Sequence, residues 1–294
     1  MKRRSAIGLL LAGAGASPLA LSGCTPLTAF NAIVPKDRGV IRILTDSPYG
    51  PDPRQRLDIY RPMSPARGLP IIVFFYGGSW NSGSKDGYAW VGRALAARGF
   101  VVAIPDYRLV PQVRYPAFLH DSAEAVRLVA RIAGSLGADP DRIVIAGHSA
   151  GSYNGAMLAY DERWLGADRA RVRGFIGLAG PYDFLPLDGP ATRAAFGSAG
   201  NLSATQPIEY ADRRDPPAFL AFGSEDRTVH PKNTINFARK LEAVGVAVER
   251  RTYPKVGHAG LVTAIAKPFR GRAGVLEDVA GFARTVTADG AGAK

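Results

Sequence analysis

A run of apolar, mostly β-branched residues, Ile143-Val144-Ile145-Ala146, passes without a break into Gly147-His148-Ser149-Ala150-Gly151, and a helical pattern begins at Ala150. A strand that turns straight into a helix must fold its backbone back on itself. It can hold a side chain out at the tip only if the neighbours on either side have none. Gly147 and Gly151 meet that condition, so the spacing predicts a serine hydroxyl presented at the carboxyl end of a strand. A serine that merely caps the following helix is the bland alternative; strand, turn and helix in succession favour a nucleophile.

The rest of the chain alternates short β-branched runs with helical patterns, the mark of βαβ units and a mostly parallel sheet. Residues 40–44 and 56–60 read as an opening antiparallel pair, and 71–75, 100–104, 143–146, 175–178, 219–222 and 247–251 as the central strands. Helical patterns lie between them at 88–98, 119–136, 150–160, 232–244 and 275–287. One α/β domain over residues 40–288 accounts for all of these, with a doubly wound sheet. The segment 182–216, rich in Pro, Gly, Ser and Asp, is the one long irregular insertion, expected as a small lid or binding loop. At 47% hydrophobic and 21% charged the chain has the material for a sizeable core, which excludes disorder, collagen and coiled coil.

Two further loops follow predicted strands. Ile71-Ile72-Val73-Phe74-Phe75 ends in Tyr76-Gly77-Gly78-Ser79-Trp80, where peptide N–H groups can approach a substrate oxygen. The N–H groups of Gly78, Ser79 and Ala150 are the expected oxyanion donors. Of the histidines after Ser149, His258 lies in a loop directly after the last strand and is the expected general base; His230, before Pro231, fits the cap of the next helix better. The strand 219–222 leads into Gly223-Ser224-Glu225-Asp226. Asp226 is the expected acid, with Asp183 the runner-up and Glu225 a solvated carboxylate. His148 should point away from the reacting carbonyl, and His120 reads as a surface residue at the start of a helix.

Taken together, Tyr76-Gly-Gly-Ser-Trp80, Asp106-Tyr107-Arg108-Leu109, Gly147-His-Ser-Ala-Gly151, Gly223-Ser-Glu-Asp226 and Gly257-His258 resemble an α/β-hydrolase of the carboxylesterase type. The pattern is similar to feruloyl and acetyl-xylan esterase-like enzymes, kynurenine formamidases and isoprenylcysteine methylesterases. The resemblance implies an α/β-hydrolase fold, a triad of Ser149, Asp226 and His258, and an oxyanion hole of Gly78, Ser79 and Ala150. It implies acyl transfer from small-molecule esters, short-chain or aryl, with neither metal nor cofactor. Tyr76 stands where such relatives usually carry His. Tyr76, Trp80 and Tyr153 are expected at the substrate, with Tyr182 and Phe184 as further aromatics of the mouth. An arylformamidase or amidase is the alternative enzyme, and a catalytically silent binding protein on the same fold is the alternative outside enzymes.

The amino terminus carries its own pattern. Lys2, Arg3 and Arg4 precede an apolar stretch over 6–21 that is too short to span a bilayer comfortably, so 1–23 reads as a signal peptide. Leu21-Ser22-Gly23-Cys24 resembles the lipobox of bacterial lipoproteins, and Cys24 is the chain's one cysteine. Its expected use is lipid attachment, with 24–39 as a tether and the catalytic domain held at the membrane in the cell envelope, on the periplasmic or outer side. The charge of +12 loses three cations with the leader and stays basic, but the lysines are scattered and no basic stretch marks a nucleic-acid partner.

Overall fold

The computed structural model describes residues 26–288. The leader, Cys24 and the chain end at 289–294 lie outside the described residues.

Eight strands form one sheet in the order β1-β2-β4-β3-β5-β6-β7-β8. β1 (Val40–Pro48) and β2 (Arg56–Pro62) are the antiparallel opening, β2 also running antiparallel to β4 (Val101–Pro105). From there β3 (Leu69–Phe75), β5 (Ala138–His148), β6 (Val172–Leu178), β7 (Ala218–Gly223) and β8 (Val248–Tyr253) are all parallel. Continuous apolar runs such as Ile71 to Phe75 fit strands buried on both faces, and those five side chains are at most 1% exposed.

The helices are α1 (Pro26–Ile33), α2 (Ala89–Ala96), α3 (Ala117–Ile132), α4 (Ala150–Tyr160), α5 (Glu162–Leu165), α6 (Pro190–Phe196), α7 (Lys232–Ala243), α8 (His258–Thr263) and α9 (Val275–Val286). Their placement follows from the two-residue period of a strand. A side chain at Gly174 in β6 would meet Val286 and Phe282 of α9, whereas the next residue, Phe175, faces Gly155 of α4. Successive strand residues point to opposite faces, so α9 and α4 cover opposite sides of the sheet. α2 packs beside α9, and α3 beside α4.

Because β3, β5, β6, β7 and β8 are parallel, their carboxyl ends lie along one rim. Register brings the exits together: Phe75 pairs with Gly147, His148 with Leu178, and Gly223 with Tyr253. Each candidate loop named from the sequence therefore leaves the sheet on the same side.

Two expectations change. Residues 24–39 were expected as a tether, but their described part, 26–39, is packed onto the domain. Phe30 sits edge-on to Trp90 at 5.4 Å and 5.8 Å from the Phe269 ring, Val34 is buried, and Asp37 accepts from Arg270 at 2.6 and 3.1 Å. With Val34 buried and Phe30 partly buried against the core, the body starts before residue 40. The insertion 182–216 is present as expected but is stapled down. Asn233 Oδ1 accepts from the Tyr182 and Asp183 N–H groups at 3.0 and 2.9 Å, Gln206 Oε1 from Phe184 N–H at 2.8 Å, and the Tyr153 hydroxyl donates to Thr205 O at 2.8 Å.

Candidate active site

Ser149 occupies the turn between β5 and α4 at φ 55°, ψ −127°. A non-glycine residue in that region costs about 1–3 kcal/mol, which the surrounding packing must supply. It comes from close approach on both sides. A Cβ at Gly147 would lie 2.4 Å from Gly151 O, and one at Gly151 would lie 2.2 Å from Phe75 O and 2.3 Å from Tyr76 O. The helix behind the serine thus rests directly on the backbone leaving β3. Ser149 N–H donates to Leu178 O at 2.9 Å, tying the turn to β6 as well.

The three polar side chains expected together are together. His258, the first residue of α8, places Nε2 2.9 Å from Ser149 Oγ and Nδ1 2.8 Å from Asp226 Oδ2. Asp226 Oδ1 accepts from the N–H groups of Thr228 and Val229, each at 2.9 Å, so both carboxylate oxygens are used. Burial works against charge on Asp226, but the hydrogen bond and charge of His258, aided by those N–H groups, outweigh it and hold the carboxyl below its usual range. The loops carrying the pair interlock: Glu225 N–H donates to Val256 O at 3.0 Å, and a Cβ at Gly223 would lie 2.1 Å from the same oxygen. Asp183 is elsewhere engaged, accepting from Asn236 Nδ2 at 2.6 Å. His230 caps α7 by accepting from Lys232 N–H at 3.2 Å, and His120 lies edge-on to Trp164.

The loop after β3 passes close enough that a Cβ at Gly77 would lie 2.8 Å from Ser149 Cβ. Gly78, Ser79 and Trp80 then take positive φ in succession, 144°, 52° and 59°. Two strained non-glycine residues side by side need anchors. Trp80 supplies one: its Nε1–H donates to Asn154 Oδ1 of α4 at 3.1 Å, and its ring packs edge-on against Phe196 at 4.8 Å and Tyr153 at 5.3 Å. Gly78, Ser79 and Ser149 line one cavity, and Ser79, Ser149 and Ala150 line a second.

Of the three aromatics expected at the substrate, only Trp80 lines a cavity that contains Ser149. Tyr76 is fully buried beneath the loop; its hydroxyl donates to Asp106 Oδ1 at 2.7 Å and accepts from Arg54 Nη2 at 2.8 Å, and the same guanidinium donates to Gly83 O at 2.5 Å. Tyr76 is therefore a buttress, a buried phenol tied to Arg54 and Asp106. Tyr153, likewise fully buried, supports Trp80 from behind and is not part of the wall. Sequence reasoning missed Arg54, Asn154 and Asn233, all polar residues far along the chain from the loops they hold.

His148 lines the smaller cavity beside Ser149 and His258 and joins two loops. Its Nε2 lies 3.2 Å from the carbonyl oxygen of His258, which only accepts, so Nε2 carries the proton. Nδ1 is then the acceptor for the Tyr88 hydroxyl at 3.4 Å, and that hydroxyl in turn accepts from Gly77 N–H at 3.3 Å. Burial, with the neighbouring charge of His258 adding to it, pushes His148 down to about 3.

The BD-FAE family model matches residues 57–241, more than half of the chain. Esterase LipC of Mycobacterium tuberculosis is 30% identical over 236 residues, 71% of this chain and 58% of that protein. A rice (Oryza sativa subsp. japonica) protein described as a probable isoprenylcysteine alpha-carbonyl methylesterase is 32% identical over 149 residues, 48% of this chain and 36% of its own length. The chain thus spans well under two thirds of these relatives. Among solved structures, esterase B from Lactobacillus rhamnosis superposes with a TM-score of 0.76 at 19% identity, covering 88% of this chain and 89% of that one, a likeness of fold. The architecture is that of the α/β-hydrolases.

The buried His148 gives a stability prediction with a definite sign. Its ordinary value is 6.5, so between pH 6.5 and about 3 the unfolded chain binds a proton that the native state refuses, and stability falls with acidification. Asp226, held low in the native state, adds to the loss only once the pH falls below its unfolded value. Asp215, which burial raises to about 6, works in the opposite sense over the same range, so the readout is the difference between proteins: on going from pH 7 to pH 4.5 the unfolding free energy from urea titration should fall by on the order of 2 kcal/mol more in the wild type than in His148→Gln. An equal drop in both proteins removes His148 as the cause.

Proposed function

The chain belongs to the BD-FAE family, and from that membership and the geometry around Ser149 we propose that it is a serine carboxylesterase acting on short-chain or aryl esters. The observation that carries the reading is the unbroken hydrogen-bonded series from Asp226 through His258 to Ser149 Oγ, at the meeting point of two cavities. In the cycle this supports, Ser149 Oγ attacks the ester carbonyl carbon while His258 Nε2 takes its proton. Asp226 holds Nδ1–H of His258 and stabilises the imidazolium. The carbonyl oxygen, now an oxyanion, rests on the N–H groups of Gly78, Ser79 and Ala150, whose orientation is fixed before substrate arrives by the strained backbone they sit on. The alcohol departs with the proton from His258, leaving an acyl-enzyme. A water that gives its proton to His258 then releases the acid.

Names of similar proteins agree with ester chemistry, an esterase and a probable methylesterase among them. The neutral His148 suits this cycle, since a second charged imidazole 4.8 Å from His258 would oppose the imidazolium that forms there.

We further propose that Cys24 carries a lipid and anchors the protein in the cell envelope with its catalytic body outside the cytoplasm. The lipobox-like Leu21-Ser22-Gly23-Cys24 supports this.

Ser149→Ala is expected to lower kcat by about 10⁴-fold or more with an unchanged unfolding midpoint, and Asp226→Asn to approach that loss by allowing the wrong tautomer of His258. Near-normal turnover in a clean Ser149→Ala preparation ends the assignment; a mild Asp226→Asn beside a damaging Asp183→Asn moves the acid. The cavity that Trp80 and Phe184 line holds about 470 Å³, so kcat/KM for p-nitrophenyl esters should peak at short acyl chains. A rate that climbs steadily to palmitate, with activation at an oil surface, contradicts this. In detergent-phase partitioning of envelope preparations, wild type should follow the detergent and Cys24→Ala the water; both in the aqueous phase rules out the anchor.

A further inference from the structure

Ser149 stands between two cavities of different make. The larger, about 470 Å³, has Trp80, Phe184, Leu185 and Val229 in its wall and excludes His258. The smaller, about 260 Å³, is lined by His258 itself, by Tyr88 and Ala259, and by Leu27. Leu27 is the one residue of that wall that comes from α1, ahead of the sheet.

Chemistry assigns the two sides, on the esterase reading given above. A general acid must be within about 2.6–3.2 Å of the atom it protonates. The leaving alcohol takes its proton from His258 Nε2, so the alcohol occupies the cavity that His258 lines. The acyl chain takes the other.

Leu27 is held in place by the rest of its helix. Leu27, Phe30, Asn31 and Val34 recur at the spacing of one helical face. Phe30 packs on Trp90 and Phe269, Asn31 Oδ1 accepts from Trp90 N–H at 3.2 Å, and Val34 is buried. Just past the helix, Asp37 is paired with Arg270 and lies 3.7 Å from Arg98. A segment with no other assigned role thus sets one leucine against the catalytic histidine's pocket.

We propose that Leu27 selects the leaving group, so that the enzyme takes esters of small apolar or aryl alcohols and its amino-terminal helix is a specificity element. The small volume limits the alcohol to about the size of one or two aromatic rings. Leu27, Ala259 and the Tyr88 ring give that side an apolar wall.

The test uses the full-length enzyme and two matched ester series. One holds the acyl group as acetate and enlarges the alcohol from methyl through butyl to phenyl and naphthyl. The other holds the alcohol as p-nitrophenol and lengthens the acyl chain from acetate to octanoate. Leu27→Phe should lower kcat/KM for naphthyl acetate relative to methyl acetate by roughly tenfold, and Leu27→Ala should raise that ratio several-fold, while the acyl-chain ratios stay within about twofold. Val229→Phe, on the opposite wall, should do the reverse. If Leu27 variants shift the acyl series instead, the two sides are misassigned and the inference is overturned. If they shift neither series, α1 is only a structural brace. Should Leu27→Phe fail to fold, Leu27→Ala carries the same readout alone. A wild type inert towards every ester in both series is a failure of the esterase reading itself and takes the inference with it.

Discussion

The contact on which the site depends is the seating of α4 against the backbone that leaves β3. Gly151 is so close to the carbonyl oxygens of Phe75 and Tyr76 that no side chain fits between them. Overpacking a core by even one methyl group typically costs about 1–3 kcal/mol, and here the obstruction is backbone, which cannot rotate away. That seating puts Ala150 N–H, Ser149 Oγ and the Gly77 to Trp80 loop in one place. It also forces the positive φ of Ser149, so the strain at the serine and the proximity of the glycine loop have one cause.

Around that contact the loops are held by polar side chains outside the triad. Arg54 ties Tyr76, Tyr107 O and Gly83 O together beneath the loop, Asn154 holds Trp80 from the helix side, and His148 links Gly77, through Tyr88, to the backbone of His258. A hydrogen bond contributes about 0.5–1.5 kcal/mol to stability on average, but losing one partner of a buried pair costs more. The orientation of the oxyanion donors and of the base is therefore shared among several loops.

The strands were legible because burial on both faces of a sheet leaves unbroken apolar runs, and the helices 232–243 and 275–286 because packing against it leaves one apolar face; 150–160, buried all round, was legible from the strand and turn that precede it. The positions of Ser149, Asp226 and His258 were legible for a related reason: each follows directly on a strand whose carboxyl end lies at one rim. What the sequence could not convey was direction. Tyr76 and Tyr153 lie in the right segments, but whether an aromatic ring faces a cavity or the core is decided by partners such as Arg54, Asp106 and Thr205, between about 20 and 50 residues away in sequence. From sequence, 24–39 reads as a tether, and the eight residues of α1 make a marginal helix on their own. Their order comes from Trp90, Phe269 and Arg270, which nothing local announces.

The central claim is that Ser149 is a nucleophile activated by His258, and covalent labelling followed by peptide mapping tests it most directly. The folded protein is treated with a fluorophosphonate, digested, and the modified residue is located by mass spectrometry. The account predicts one phosphonyl adduct, on Ser149, formed much more slowly in the His258→Ala protein. Adducts spread over other serines, or none on a folded wild type, would contradict it.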